Sequence, residues 1–269
     1  MTPLIPLLLL ASSLPLALAK RVPPSSDTPA TPDPPSRPQP QPPARSLSSS
    51  TPPSPDSYLV TSLPGLAPSA FPTPHFAGHI SVTPGSFSAS DPDRFFSWFF
   101  HPSAPSGAPL SEIPADTPLL IWLNGGPACS SMDGLWLENG PFRLSGAEPP
   151  SIAVNEHSWH RAPAYALYVD QPVGTGLSFT THAKYPRSDA EVNEDFYGFL
   201  LNFLKIHSLE AAPVFFAGES HAGHYIPSMI ADIRRRNAAG AEVQIDVRGA
   251  AIGNGWFDPR SQYDVSGFA

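Results

Sequence analysis

Apolar and polar positions divide the chain into three stretches. Leu4 to Leu18 is leucine-rich and interrupted by Pro6 and Pro15. Val22 to Asp56 is Pro, Ser, Thr and Gln with almost no apolar residue. From Tyr58 onward, apolar runs recur at short intervals. Arg94-Phe95-Phe96-Ser97-Trp98-Phe99-Phe100 is too short and too aromatic for a surface helix and reads as a strand. Asp91-Pro92-Asp93 before it is a turn signal, which predicts an antiparallel hairpin with residues 79–82. Leu119–Leu123 and Ala166–Val169 are continuous apolar runs, the mark of strands buried on both faces. Ser188-Asp189-Ala190-Glu191 has the form of a capping box, and Val192, Phe196, Phe199, Leu200, Phe203 and Leu204 then share one helical face. Val214–Ala217 is the next strand, Tyr225–Arg236 an amphipathic helix, and Val247–Ile252 a further strand. Arg234-Arg235-Arg236 reads as a solvated helix end whose cations suit the dipole. Strands alternating with helices behind an antiparallel opening hairpin predict an α/β fold with a mostly parallel sheet.

Composition assigns the first two stretches. Ala17-Leu18-Ala19 has the small-x-small form of a leader cleavage site, and the apolar run before it is too short to span a membrane. Residues 1–19 are therefore read as a signal peptide, although no basic residue precedes the run. Residues 20–57 cannot offset the entropy of ordering and are expected to be a disordered spacer or pro-segment, with Lys20-Arg21 and Arg45 as candidate processing points. Residues 58–269 remain as the globular part. A net charge of −8 without a basic stripe gives no reason to expect a nucleic-acid partner. The nine histidines show no ligand spacing and no glycine motif is a phosphate loop, so neither metal nor cofactor is expected. Cys129 is the one cysteine, either a free thiol or half of a bridge to a partner elsewhere.

Gly218-Glu219-Ser220-His221-Ala222-Gly223, between a strand and a helix, has the character of a nucleophile elbow. So sharp a turn strains the serine backbone and needs small neighbours, and it leaves the hydroxyl clear at the amino end of a helix that favours negative charge. A serine nucleophile also requires N–H donors for the oxyanion. One is the backbone N–H of His221. The other is expected from the glycine loop Asn124-Gly125-Gly126-Pro127, which directly follows the buried Leu119–Leu123 strand. A base and an acid should follow the serine in the chain. Only His221 and His224 do, both on the elbow, and Asp232, Asp246, Asp258 and Asp264 read as surface or turn carboxylates.

Five stretches carry a resemblance: Trp122-Leu123-Asn124-Gly125-Gly126-Pro127-Ala128-Cys129-Ser130-Ser131, Glu138-Asn139-Gly140-Pro141, Asp170-Gln171-Pro172-Val173-Gly174-Thr175-Gly176, Gly218-Glu219-Ser220 and Gly253-Asn254-Gly255. In this order they resemble the serine carboxypeptidase family, peptidase family S10, from about Tyr58 onward. Residues 131–134 and 170–179 are most similar to its fungal pheromone-processing branch, which trims C-terminal Lys and Arg. The resemblance implies an α/β-hydrolase fold and Ser220 as nucleophile, with the N–H groups of Gly126 and His221 as oxyanion hole. It also implies that Asn124, the Gly125 N–H and Glu219 hold the substrate's terminal carboxylate. A protonated Glu219 can donate to that carboxylate, so an acidic optimum is expected. Two departures stand out: His221 where the family usually has Tyr, and Ala128 where it has Gly, from which modest crowding of the carboxylate site is expected. The family's cysteine at 129 implies a bridge to a partner outside this chain. The expectation is an N-terminal portion of a serine carboxypeptidase, ending after the strand that follows the elbow and lacking the triad Asp and His. It would act on the C-termini of peptides and proteins, in the Golgi, the vacuole or the extracellular space. The alternatives are an inactive truncated product and a lipase or esterase of the same fold, against which Glu219 and the Asn-Gly-Gly-Pro loop argue.

Overall fold

A period-two alternation along each central strand builds this fold, because it sends neighbouring side chains to opposite faces of one sheet. The computed structural model describes residues 51–71, 73–102, 113–144, 146 and 151–266. The signal peptide read at 1–19, the basic residues 20, 21 and 45, and the spacer up to residue 50 lie outside them. All described residues belong to one unit, Arg45–Ala269. In chain order its strands and α-helices are β1 (His75–Ser81), β2 (Asp93–Phe100), β3 (Leu119–Leu123), α1 (Met132–Leu137), β4 (Phe142–Leu144), β5 (Ile152–Val154), β6 (Tyr165–Val169), β7 (Phe179–Thr180), α2 (Asp189–His207), β8 (Val214–Glu219), α3 (Ala222–Ala238), β9 (Val247–Gly253) and α4 (Pro259–Ser266). Short 3-10 turns at Pro55–Tyr58 and Pro68–Ala70 precede β1.

The main sheet has the order β1-β2-β6-β3-β8-β9, with β7 pairing to β2 outside that path. β6, β3, β8 and β9 run parallel, and β1 and β2 form the antiparallel hairpin. The hairpin is longer than the sequence predicts, His75 pairing with Phe100 and Ser81 with Arg94. Its connection is also not the Asp-Pro-Asp turn alone. Asn202, fully buried on α2, donates to the carbonyls of Ser81, Thr83 and Ser86 and accepts from Gly85 N–H, fastening the whole loop to that helix.

On one face, Phe95, Phe99, Leu119, Ile121, Leu123, Leu167, Val169 and Phe216 pack against the predicted apolar stripe of α2 and against Ile226 and Met229 of α3. On the other, Trp98, Phe100, Trp122, Ala166, Tyr168 and Ala217 pack under Phe71, Leu135 and Phe142. The capping box of α2 is half formed. Ser188 Oγ accepts from Glu191 N–H at 3.3 Å, but the Glu191 carboxylate reaches past Ser188 to Arg187 N–H at 2.6 Å. The arginine triplet also differs from its reading as a solvated end. Arg236 pairs with Asp232 at 2.7 Å, reaches Glu194 on α2 and lies 4.3 Å over the Tyr197 ring, so it ties two helices together. β9 is the outer strand, and Ala250, Ala251 and the neighbouring Phe215 are exposed.

Candidate active site

The carboxyl ends of β3, β8 and β9 stand side by side, because Leu123 pairs with Gly218 and Glu219 with Gly253. Asn124, Ser220 and Asn254 follow these ends, at the sheet edge where parallel strands leave room for a ligand.

Ser220 has φ +55°, a left-handed conformation that costs a non-glycine residue about 1–2 kcal/mol. A clamp holds it there. Its N–H donates to Gly253 O at 3.0 Å, and its carbonyl accepts from Trp256 N–H at 2.8 Å and Gly223 N–H at 2.9 Å. Missing side chains let strand and helix close: a Cβ on Gly218 would lie 2.5 Å from Leu123 O, and one on Gly223 2.7 Å from Trp256 N. The position between them and Ser220 is filled by Ala222, itself fully buried. The Ser220 side chain is exposed at the start of α3.

The glycine loop after β3 meets this elbow backbone to backbone. A Cβ on Gly125 would lie 2.5 Å from His221 N and 2.8 Å from both Glu219 O and Ser220 Cβ. Gly125 is thus brought to Ser220 and His221, and Gly126 follows it at φ +110°, turned toward Ala128 and Cys129. Ala128, from whose methyl modest crowding was expected, lies on the surface of this loop. Its cost lies in the backbone, at φ +64°. Its N–H is held by the Tyr225 hydroxyl of α3 at 3.1 Å. Cys129 is exposed and unbridged among the described residues. Beyond it, Asp170, fully buried, accepts from Ser130 Oγ at 2.7 Å, Ser131 N–H at 2.9 Å and Leu177 N–H at 2.9 Å, which anchors the far end of the loop. Burial pushes the Asp170 carboxyl up, and these hydrogen bonds oppose it.

Asn124 is buried and fully engaged. Its Oδ1 accepts from Trp122 Nε1 at 2.7 Å and Gly134 N–H at 3.1 Å. Its Nδ2 donates to Glu219 at 3.1 Å and also faces Glu138 at 3.3 Å. Glu138 is the site residue that sequence reasoning misses. It sits in the Glu-Asn-Gly-Pro motif just past α1, and only the fold brings it to Asn124. Partial burial, then the charge of Glu219, hold its carboxyl above the ordinary range, with Asp133 adding to this and Asn124 and Arg143 opposing. Two carboxylates sharing one amide favour a site where one keeps a proton.

The histidines on the elbow do not face the serine as a base. His221 and His224 stack at 4.9 Å with planes 9° apart, and His224 Nδ1 donates to the Trp256 carbonyl. Burial, and then His224, lower the pKa of His221, whose Nδ1 is buried without a partner among the described residues. Among the described residues, no imidazole hydrogen-bonds the Ser220 hydroxyl, and no group of His, Cys, Asp and Glu is placed to hold a metal ion. Asp232 is not a surface carboxylate: it is buried and paired with Arg235 and Arg236. Asp246 pairs with Arg248 at 2.7 Å, and Asp258 accepts from Arg260 N–H at 3.2 Å at the start of α4.

A family model described as serine carboxypeptidase matches residues 64–267. Over 222 residues the sequence is 39% identical to the pheromone-processing carboxypeptidase KEX1 of Phytophthora infestans, covering 78% of this chain and 34% of that protein. It is 41% identical over 217 residues to serine carboxypeptidase S10 family member 2 of Dictyostelium discoideum, covering 77% and 36%. The structure is similar to that of a prohormone-processing carboxypeptidase from Saccharomyces cerevisiae, with TM-score 0.66, 35% identity, and coverage of 78% of this chain and 45% of that one. The chain thus spans about a third of the length of the curated relatives it matches.

Proposed function

Because the chain belongs to the serine carboxypeptidase family, we propose that it carries the nucleophile half of a site that removes C-terminal residues from peptides through an acyl-enzyme. In this reading residues 58–269 are the N-terminal part of the α/β-hydrolase domain. Ser220 Oγ attacks the carbonyl of the last peptide bond, the C–N bond breaks, the amine of the C-terminal residue leaves with the serine proton, and water then hydrolyses the acyl ester. The N–H groups of Gly126 and His221 receive the oxyanion. Asn124, the Gly125 N–H and Glu219 hold the terminal carboxylate, and Glu138 joins them.

The shared amide of Asn124 is the observation that carries this reading. A pair of carboxyls around one Nδ2 is repelled by a third carboxylate unless a proton is present. With that proton, one carboxyl becomes a donor, so binding of a free C-terminus strengthens as pH falls. Asp133, exposed in the first turn of α1 and close enough to act on Glu138, favours a basic C-terminal side chain such as Lys or Arg. A leader at 1–19 would direct the chain into the secretory pathway.

The decisive comparison is binding of a short peptide with a free or an amidated C-terminus, measured from pH 5 to 7.5 by calorimetry. The free acid should bind more tightly, increasingly so toward acid pH, and Glu219→Gln should flatten that dependence. An unchanged pH profile in the variant would overturn the assignment. A second reading, that the chain has no turnover by itself, is favoured by the lack of a described imidazole on Ser220. Labelling by a fluorophosphonate, compared with Ser220→Ala, reads this separately from binding.

A further inference from the structure

Three Asn-Gly steps occur in the sequence, at 124–125, 139–140 and 254–255. This dipeptide is chemically labile, because glycine offers no side chain to hinder its nitrogen from reaching the asparagine side chain. The fold treats the three very differently. Asn124 is buried with both ends of its amide hydrogen-bonded. Asn139 accepts from the Tyr168 hydroxyl at 2.8 Å, and the Gly140 nitrogen is tied to Gly134 O at 2.9 Å. Asn254 is exposed at φ +47°, and among the described residues neither its side chain nor the Gly255 N–H makes a hydrogen bond.

We propose that Asn254-Gly255 is a spontaneous deamidation site, set in the turn that clamps the elbow serine. The deprotonated Gly255 nitrogen attacks Asn254 Cγ, a new N–Cγ bond forms, the Cγ–Nδ2 bond breaks and ammonia departs with the proton. Water then opens the cyclic imide at either carbonyl, leaving aspartate or isoaspartate. The position gives the reaction a consequence. Gly253 O at the end of β9 and Trp256 N–H in the turn after it, on either side of the step, make two of the hydrogen bonds that hold Ser220. Isoaspartate inserts one methylene into the main chain between them, and either product adds a negative charge beside the nucleophile. The reaction would therefore act as a clock on the geometry at Ser220, independent of which substrate the site takes.

The three steps serve as one another's controls. The full chain is aged at mildly alkaline pH, native and in urea, and each Asn-Gly peptide is scored for deamidation by mass spectrometry. In urea the three should convert at similar rates. In the native chain Asn254 should convert at least about tenfold faster than Asn124 or Asn139, equivalent to about 1.4 kcal/mol of opening free energy at the protected sites. Equal native rates, or Asn254 lagging, would overturn the proposal. Gly255→Ala is a poor block, since its methyl would lie 2.5 Å from the Phe257 ring. Asn254→Gln is the blocking variant. Amide exchange at Ser220 should accelerate with age in the parent and stay constant in Asn254→Gln; matching exchange in the two would remove the proposed effect on the clamp.

Discussion

Gly125→Ala tests how the glycine loop and the elbow meet. The added methyl would lie 2.5 Å from His221 N and 2.8 Å from Glu219 O and Ser220 Cβ. None of these is the end of a flexible side chain, so nothing nearby can rotate away. Ordinary van der Waals contact begins at 3.4 Å, and the loop would have to move off the elbow by roughly 1 Å. The strand end opposes this, since Leu123 is paired to Gly218 and Asn124 is held through its amide. Overpacking of this kind costs about 1–3 kcal/mol, and the rigid neighbours place the expectation in the upper half of that range. Urea denaturation followed by tryptophan fluorescence measures it, as a lowered midpoint with an unchanged slope. Gly253→Ala is the matched control. It too sits at a strand end beside Ser220, but a Cβ there meets nothing within 4 Å and its φ is not positive. It should stay within about 0.5 kcal/mol of the parent. If Gly125→Ala is as mild as Gly253→Ala, the close approach of loop and elbow is wrong.

Three further outcomes are expected. Ala128→Gly should stabilise the chain by about 0.5–1 kcal/mol in the same assay, since it relieves a left-handed alanine while giving back part of the gain as chain entropy. Asp195 is raised to about 6 by burial first and then by Asp93, Glu194 and Glu191, so its charged form penalises the fold above that pH and the penalty fades as pH falls toward 4. Asp195→Asn should therefore gain roughly 1 kcal/mol at pH 7.5, allowing for solvent screening, and nothing at pH 4; equal gains at both would refute the assignment. His101 and His207 are lowered by burial to about 4 and about 3, so both are neutral in the fold and take up protons on unfolding below about 6.5. Stability should fall as pH drops from 6.5 toward 4, and His207→Phe should remove up to about 1.4 kcal/mol per pH unit of that slope.

Much of the frame is legible in the sequence because it rests on local rules. β3, β6, β8 and β9 announce themselves as short apolar runs, and the stripe of α2 as a helical period. The elbow is legible because its steric demand falls on residues adjacent in sequence. What escapes reading depends on distant partners. Glu138 is 14 residues from Asn124 along the chain and across the sheet edge from Glu219, and nothing at position 138 encodes that meeting. Asn202 looks like one polar residue on a helix, yet its amide shapes the loop between β1 and β2. β4 and β5 have three residues each and no pattern long enough to show a period. Asp232 was recoverable in part, since Arg235 and Arg236 stand three and four residues on, the spacing at which helical charges meet.

The outer strand β9 has a consequence for handling the protein. Its seven residues, Val-Arg-Gly-Ala-Ala-Ile-Gly, include one charge and no proline, with a register shift against β8 at Arg248, and among the described residues no strand pairs with their outer side. Natural sheets blunt such a rim with lysine, proline or a bulge, of which β9 has only the irregularity at Arg248, because an unguarded rim recruits any extended segment it meets. Exposed Phe215 beside it adds grease to the template. Solution lifetime should then be governed by concentration as much as by temperature, with turbidity that seeds itself. A proline on the outward-facing amides of β9 would be the remedy to try first.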